Sequence, residues 1–148
     1  MAKVSVIMPV YNAEKYIGYA IESILKQNYS DLELIIINDQ GSDKSMDIVR
    51  SYNDSRILII DNECNKGIAY SRNRGIEAAT GEYIAIMDDD DWAPEYRLGV
   101  EVEYLDNHPD ISVVGGAANI MDENNTITRY CNYEIIKQTS NIPFRTFC

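Results

Sequence analysis

Residues 4–25 read VSVIMPVYNAEKYIGYAIESIL, and the fold turns on how that stretch changes period. From Val4 to Val10 apolar side chains follow one another closely, many of them β-branched, which predicts a strand buried on both faces. From Ile17 the spacing lengthens: Ile17, Ala20, Ile21, Ile24 and Leu25 share one helical face, with Asn12 placed to cap the helix. The same change recurs down the chain. Leu32 to Ile37, Ile57 to Ile60, Tyr83 to Met87 and Ile111 to Val114 are strand-like. Between them lie helical patterns: Met46, Ile48 and Val49 behind Ser42 and Asp43, Ile68 to Ala79 stopped by Gly81, and a run opened by Pro94 and reaching Leu105. Alternating strands and helices predict an α/β domain: a Rossmann-like, mostly parallel sheet with helices on both faces. Residues 1–120 form that domain, and residues 121–148, polar and weakly periodic, are read as a linker or tail.

The chain has 148 residues, 24 acidic and 13 basic, for a net charge of −11. That length suits one domain. The acidity argues against nucleic acid as a partner, because its phosphates are met by Lys/Arg patches. It argues against a polybasic membrane contact for the same reason. Carboxylates that converge would instead suit a divalent cation. Cys64, Cys131 and Cys148 are odd in number and form no CxxC, so they are read as small buried hydrophobes in a reducing compartment. The apolar run before Pro9 is too short for a signal-peptide core. A cytoplasmic location is expected, with the inner face of the cell membrane reached through partners.

In open α/β sheets ligands bind beyond the carboxyl ends of the strands. The residues there are Pro9 to Asn12, then Asn38 to Asp43, then Asp61, Asn62 and Glu63, then Asp88 to Asp91 followed by Trp92. Four adjacent aspartates repel one another, and a hard cation reverses that balance by taking carboxylate oxygens as ligands. Taken alone, the run reads equally as a charged turn with helix-capping carboxylates. An EF-hand is excluded, since the twelfth position from Asp88 is Gly99 rather than Glu. No glycine-rich phosphate loop is present either. A metal together with a nearby arginine is the other common way to neutralise a diphosphate. Arg72 and Arg74 stand near the start of the third helix, whose amino end also favours anions. Asp39 suits a base N–H, and Tyr11 suits stacking on a base.

Assembled in order, these residues resemble the family 2 glycosyltransferases of the GT-A fold. The matching segments are Val4 to Asn12, Asn38 to Asp43, Asn65-x-Gly67 with Ser71-Arg72-Asn73-x-Gly75, and Gly81 to Ile84 leading into Asp88-x-Asp90-Asp91, Trp92, Pro94, Arg97 and Leu98. The resemblance implies a nucleotide-sugar donor site built from Pro9, Tyr11, Asn12, Asp39, Arg72 and Asp90. Asp39 would contact the base, Pro9 and Tyr11 would line it, and Arg72 would lie near the diphosphate. It also implies a metal site drawn from Asp91, Asp90 and Asp88 that holds Mg2+ or Mn2+, with the choice among the three left open. Asn38 replaces the usual first Asp, and Ser71 replaces the usual Ala.

The implied reaction moves a sugar, with inversion, from a nucleotide diphosphate sugar to an acceptor hydroxyl. A UDP-sugar is the favoured donor. A sugar, glycan or lipid-linked acceptor is expected, in cell-surface polysaccharide or glycan synthesis. The general base belongs to a later Glu-Asp motif and is expected beyond Cys148. His108 is read as a surface-loop residue, not as a substitute. The chain is therefore expected to hold the donor half, with exposed apolar surface that favours a homo-oligomer. A non-catalytic nucleotide-sugar binding module is the alternative. A nucleotidyltransferase is disfavoured, because Pro9 to Asn12 is no Gly-rich basic phosphate loop.

Overall fold

The computed structural model describes residues 2–122, 126–131 and 145–147. The elements are β1 (Val4–Val10), α1 (Ile17–Leu25), β2 (Leu32–Asn38), α2 (Ser45–Ser51), β3 (Ile57–Asp61), α3 (Ile68–Ala78), β4 (Tyr83–Ile86), α4 (Arg97–Asn107), β5 (Val113–Val114), β6 (Ala118–Met121), β7 (Ile127–Cys131) and β8 (Arg145–Phe147). β1 is buried throughout because it pairs in parallel with β2 on one side and β4 on the other. The main sheet runs β3-β2-β1-β4-β8-β5, and β6 and β7 form a separate antiparallel pair.

The two faces are covered unequally. Val4, Val6, Met8 and Val10 pack with Ile17, Ile21 and Ile24 of α1, Val49 of α2, and Leu98, Val102 and Leu105 of α4. Ile7, Ile35, Ile37 and Ile84 face the other way and meet Ile76 of α3. Period-2 alternation thus divides each central strand between two apolar layers, as a parallel sheet inside a helical jacket requires.

Register places the chemistry. Val10 stands opposite Asn38, and Asn38 opposite Asp61, so β1, β2 and β3 end on one line. The β1–β4 ladder ends earlier, at Ile7 and Ile86. Tyr83 N–H donates to Lys3 O at 3.0 Å and Met87 N–H to Ile7 O at 3.0 Å, so odd-numbered residues of β1 face β4. Next in that row is Pro9, which has no N–H to give. β4 is therefore released from the sheet just before the four aspartates.

Several local expectations are corrected. Asn12 does not cap α1, which begins at Ile17 with no side-chain cap. Its backbone is left-handed (φ 55°), and its Oδ1 accepts the Ser42 N–H at 2.7 Å, tying the β1 loop to the β2 loop. Gly81 is not a left-handed cap of α3, which ends at Ala78 with an extended Ala79. A Cβ on Gly81 would stand 2.7 Å from Ser5 N and 2.9 Å from Val4 C, so glycine is needed there for close approach to β1. Pro94 precedes α4 by a turn, its carbonyl accepting the Arg97 N–H at 3.0 Å. Cys64 is exposed rather than buried. Arg145–Phe147 form β8 between β4 and β5, where the sequence predicts tail: three residues are too few to show a period. The rest of that tail, residues 132–144 and Cys148, lies outside the described residues.

Among the described residues no helix is long and apolar enough to cross a membrane. One surface pair, Asp54 with Arg56, is expected to add to the acid sensitivity of the fold. The Arg56 guanidinium, then its N–H, hold the Asp54 carboxyl at about 2 against a smaller cost of burial. A lowered carboxyl contributes stability that is complete above its unfolded value, about 3.9, and is lost as pH falls toward 2. Asp54→Asn is therefore expected to flatten the fall in urea midpoint over that window while changing it little below pH 2. An unchanged acid profile would remove Asp54 from the account.

Candidate functional site

The carboxyl edge of the sheet gathers two linked clusters, and α3 joins them. The first is built on Asp39, which follows β2 and is only 3% exposed. Its Oδ1 accepts Asn62 Nδ2 at 2.7 Å and the Lys66 N–H at 2.8 Å, and its Oδ2 accepts the Gly67 N–H at 2.9 Å. Burial alone would raise this carboxyl. The bonds from Lys66, Asn62 and Gly67, with a further one from Ser71, outweigh it and hold the group below its ordinary value. The anion at the amino end of α3 is thus Asp39 itself. With the bonds from Asn62, Lys66, Gly67 and Ser71, the Asp39 carboxylate is engaged from several sides.

Asn62 is the hub the sequence reading missed. It is 2% exposed, donates to Asp39 and to Ser71 Oγ (2.9 Å), and accepts Arg74 Nη1 at 2.6 Å. Arg74 is therefore a brace for the end of β3, which it also grips through Asp61 O at 2.8 Å. Asn38 fits the site by pairing: its Nδ2 donates to Asp61 Oδ1 at 2.7 Å, where a second carboxylate would be repelled. Gln40 (φ 59°) closes the loop by donating Nε2 to Asn62 O at 2.6 Å.

The second cluster is the acidic turn. Asp88 Oδ1 accepts Arg72 Nη2 at 2.5 Å. Asp89 Oδ2 accepts the Tyr11 N–H at 2.9 Å. Asp90 and Asp91 are exposed, and among the described residues no side chain or backbone donor engages either carboxylate. Partial desolvation, then the charges of Asp88 and Asp90, raise the Asp91 carboxyl, with Arg97 opposing them. Desolvation also raises Asp89; the Tyr11 N–H works against it, and the neighbouring Asp90 and Asp88 charges add to it. Behind the turn, Arg97 donates Nη2 to Ile86 O at 3.3 Å and Nε to Glu101 Oε1 at 3.2 Å. That ion pair, in which Glu101 is 6% exposed, fixes the strand end from which the aspartates leave.

Of the sequence-predicted residues, Asp39, Arg72 and the aspartates do lie along one edge. Pro9 is buried in β1 and contributes backbone shape, while the Tyr11 side chain is half exposed beside the turn. Among the described residues no three His, Cys, Asp or Glu side chains gather as a ready metal cage. Two clefts, about 510 and 430 Å³, open at the opposite edge around Ala2, Asp31 and Glu33 or Glu82. They lie at the amino ends of the strands, away from both clusters. His108 ends α4 and stacks on Tyr104.

The chain is similar in sequence and in fold to known proteins. The chain is 41% identical over 124 residues to the putative glycosyltransferase EpsE of Bacillus subtilis, covering 82% of this chain and 45% of that protein. It is 37% identical over 137 residues to the UDP-Glc:alpha-D-GlcNAc-diphosphoundecaprenol beta-1,3-glucosyltransferase WfgD of Escherichia coli, covering 93% and 48%. Among solved structures, Staphylococcus aureus TarS in complex with UDP-GlcNAc superposes with a TM-score of 0.74 at 27% identity, over 86% of this chain and 37% of that one. The mannosyltransferase PcManGT of Pyrobaculum calidifontis, in complex with GDP-Man and Mn2+, gives 0.69 at 25% identity, over 83% and 36%. The chain spans about half the length of the curated relatives it matches. The glycosyl transferase family 2 profile matches residues 5–147, and the chain belongs to that family.

Proposed function

We propose that this chain forms the donor-binding part of an inverting, metal-dependent glycosyltransferase that uses a UDP-sugar. The observation that carries this reading is the division of labour at the sheet edge. Asp88 is neutralised by Arg72, while among the described residues no donor engages the Asp90 and Asp91 carboxylates at the mouth of the turn. Mg2+ and Mn2+ sites in nucleotide enzymes commonly use one or two carboxylates and complete their shell with phosphate oxygens and water. Asp91 and Asp90 fit that donor set, and their mutual repulsion favours a cation. Asp88 serves better as the partner that orients Arg72. A bound cation would supply Lewis-acid stabilisation of the departing nucleoside diphosphate.

The remaining residues bind and orient. The Asp39 carboxylate suits a base N–H, and the Tyr11 ring offers an exposed face for the base. Pro9 and Asn12 shape the loop that presents that ring. Arg72 lies between the two clusters, within reach of a diphosphate once its bond to Asp88 is shared. The UDP and UDP-GlcNAc complexes of TarS and the GDP-Man and Mn2+ complex of PcManGT support this reading. The acceptor named for WfgD favours a lipid-linked glycan, and hence polysaccharide synthesis at the inner face of a membrane. Residues 1–120 would form the donor domain, with the segment after 121 leading toward the acceptor half and its general base.

The test is thermal unfolding with ligands. UDP at about 100 times its Kd with Mn2+ should stabilise the chain by about 2.7 kcal/mol, a rise of roughly 5–10 °C in Tm. The double variant Asp90→Ala/Asp91→Ala should lose the Mn2+-dependent part of that shift. No shift with UDP or GDP, with or without metal, would sink the donor-site reading.

A further inference from the structure

The motif Asp88-x-Asp90-Asp91 leaves its second position without a role, yet Asp89 occupies a specific place. Odd-numbered residues of β1 direct their backbone toward β4, Pro9 has no N–H, and the next donor in that row is Tyr11. No β4 backbone remains to meet it. Asp89 Oδ2 does so at 2.9 Å, across 78 positions of sequence. On its other side the Tyr11–Asn12 segment is tied to the β2 loop by the Ser42 N–H on Asn12 Oδ1. It is pressed there by Gly41, where a Cβ would stand 2.8 Å from Asn12 N. The Tyr11 ring is 51% exposed, so packing alone does not orient it. A purely solvated carboxylate would be expected to turn outward between two like charges; this one is half-buried against a backbone donor.

We propose that Asp89 is a positioning residue: its carboxylate replaces the missing β4 acceptor and locks the Tyr11 peptide to the acidic turn, so that the base side and the diphosphate side of the donor site form one rigid unit. This rests on the donor-site reading above. What matters is the acceptor oxygen rather than the charge, which makes the amide an informative replacement. Asp89→Asn keeps a carbonyl oxygen for the Tyr11 N–H; Asp89→Ala keeps neither oxygen nor charge.

The experiment measures UDP affinity at saturating Mn2+ and, without ligand, hydrogen exchange at the Tyr11 amide. Asp89→Ala should raise the Kd for UDP about tenfold, ~1.4 kcal/mol, and lose protection at Tyr11. Asp89→Asn should keep that protection and bind within about threefold of the unaltered chain, ~0.65 kcal/mol. Asp89→Ser, too short to reach the Tyr11 N–H, supplies the same comparison if Asp89→Ala does not fold. Unchanged UDP affinity in the alanine or serine variant would overturn the proposal. So would an Asp89→Asn variant as impaired as Asp89→Ala, because the role would then be charge. If the unaltered chain binds no nucleotide, the donor-site reading falls, and this proposal falls with it.

Discussion

Asp39→Ala is expected to lower the melting temperature by roughly 10 °C and to weaken UDP binding at least a hundredfold, ~2.7 kcal/mol. The stability loss comes from the donors left behind. Asn62 Nδ2 and the Lys66 and Gly67 N–H groups all lose an acceptor in a site where Asp39 is 3% exposed. A buried donor without a partner costs about 1–3 kcal/mol, and water entering the vacated space would recover part of that, leaving a net loss of about 3 kcal/mol. The binding loss is larger because the same bonds hold Gly67 at φ 85°, ahead of α3, and so position Arg72. Asp39→Asn retains one acceptor oxygen but turns an NH2 group toward a donor, so an intermediate result is expected. Calorimetric titration with UDP and Mn2+ decides the matter. An Asp39→Ala chain that binds UDP within threefold of the original would make Asp39 a structural carboxylate only.

Gly81→Ala should cost at least about 2 kcal/mol, and roughly 5 °C in Tm, with donor affinity little changed. The added methyl would meet Ser5 N and Val4 C, both backbone of a buried central strand that cannot yield. It would also break a compact lattice at the amino edge of the sheet. There the Gly81 N–H donates to Ser5 Oγ at 2.8 Å, and Ser5 Oγ donates to Glu33 Oε1 at 2.5 Å. Thr80 binds the same Glu33 oxygen through its N–H and its hydroxyl. Gly67→Ala is the informative contrast. Nothing stands within 4 Å of its Cβ position, so only left-handed backbone strain is added, about 1 kcal/mol. Its effect should appear in UDP affinity more than in Tm. Equal Tm losses in the two variants would show that close approach at Gly81 is not the deciding term.

The strands were legible because their apolar runs are long and dense: Val4–Val10 and Leu32–Asn38 need burial on both faces, and only a covered parallel sheet supplies it. The carboxyl edge followed from strand order. What stayed hidden depends on pairings that no local pattern encodes. Asn62 looks like any polar residue after a strand, and its role exists only once Asp39, 23 positions earlier, is brought beside it. Arg72 and Arg74 are indistinguishable by type, but residues two apart on a helix point to nearly opposite sides, so one reaches Asp88 and the other Asn62. Gly81 was legible as a needed glycine and misread in its reason, since a helix end and a tight strand approach leave the same letter. Asn12 was misread in the same way, its capping chemistry being spent on Ser42 rather than on α1.

Four identical residues in the turn hold unlike posts: one answers an arginine, one a peptide N–H, and two face outward. That has a genetic consequence. Loss of any one of the four aspartate codons yields the same polypeptide, whichever was deleted, so an alignment would show only a shortened run. The three survivors would then have to be reassigned among the four posts, by the geometry of the strand end before them and the helix after them. A single deletion in this tract should therefore act as a change of several side chains at once, unlike a point substitution at any one of its positions.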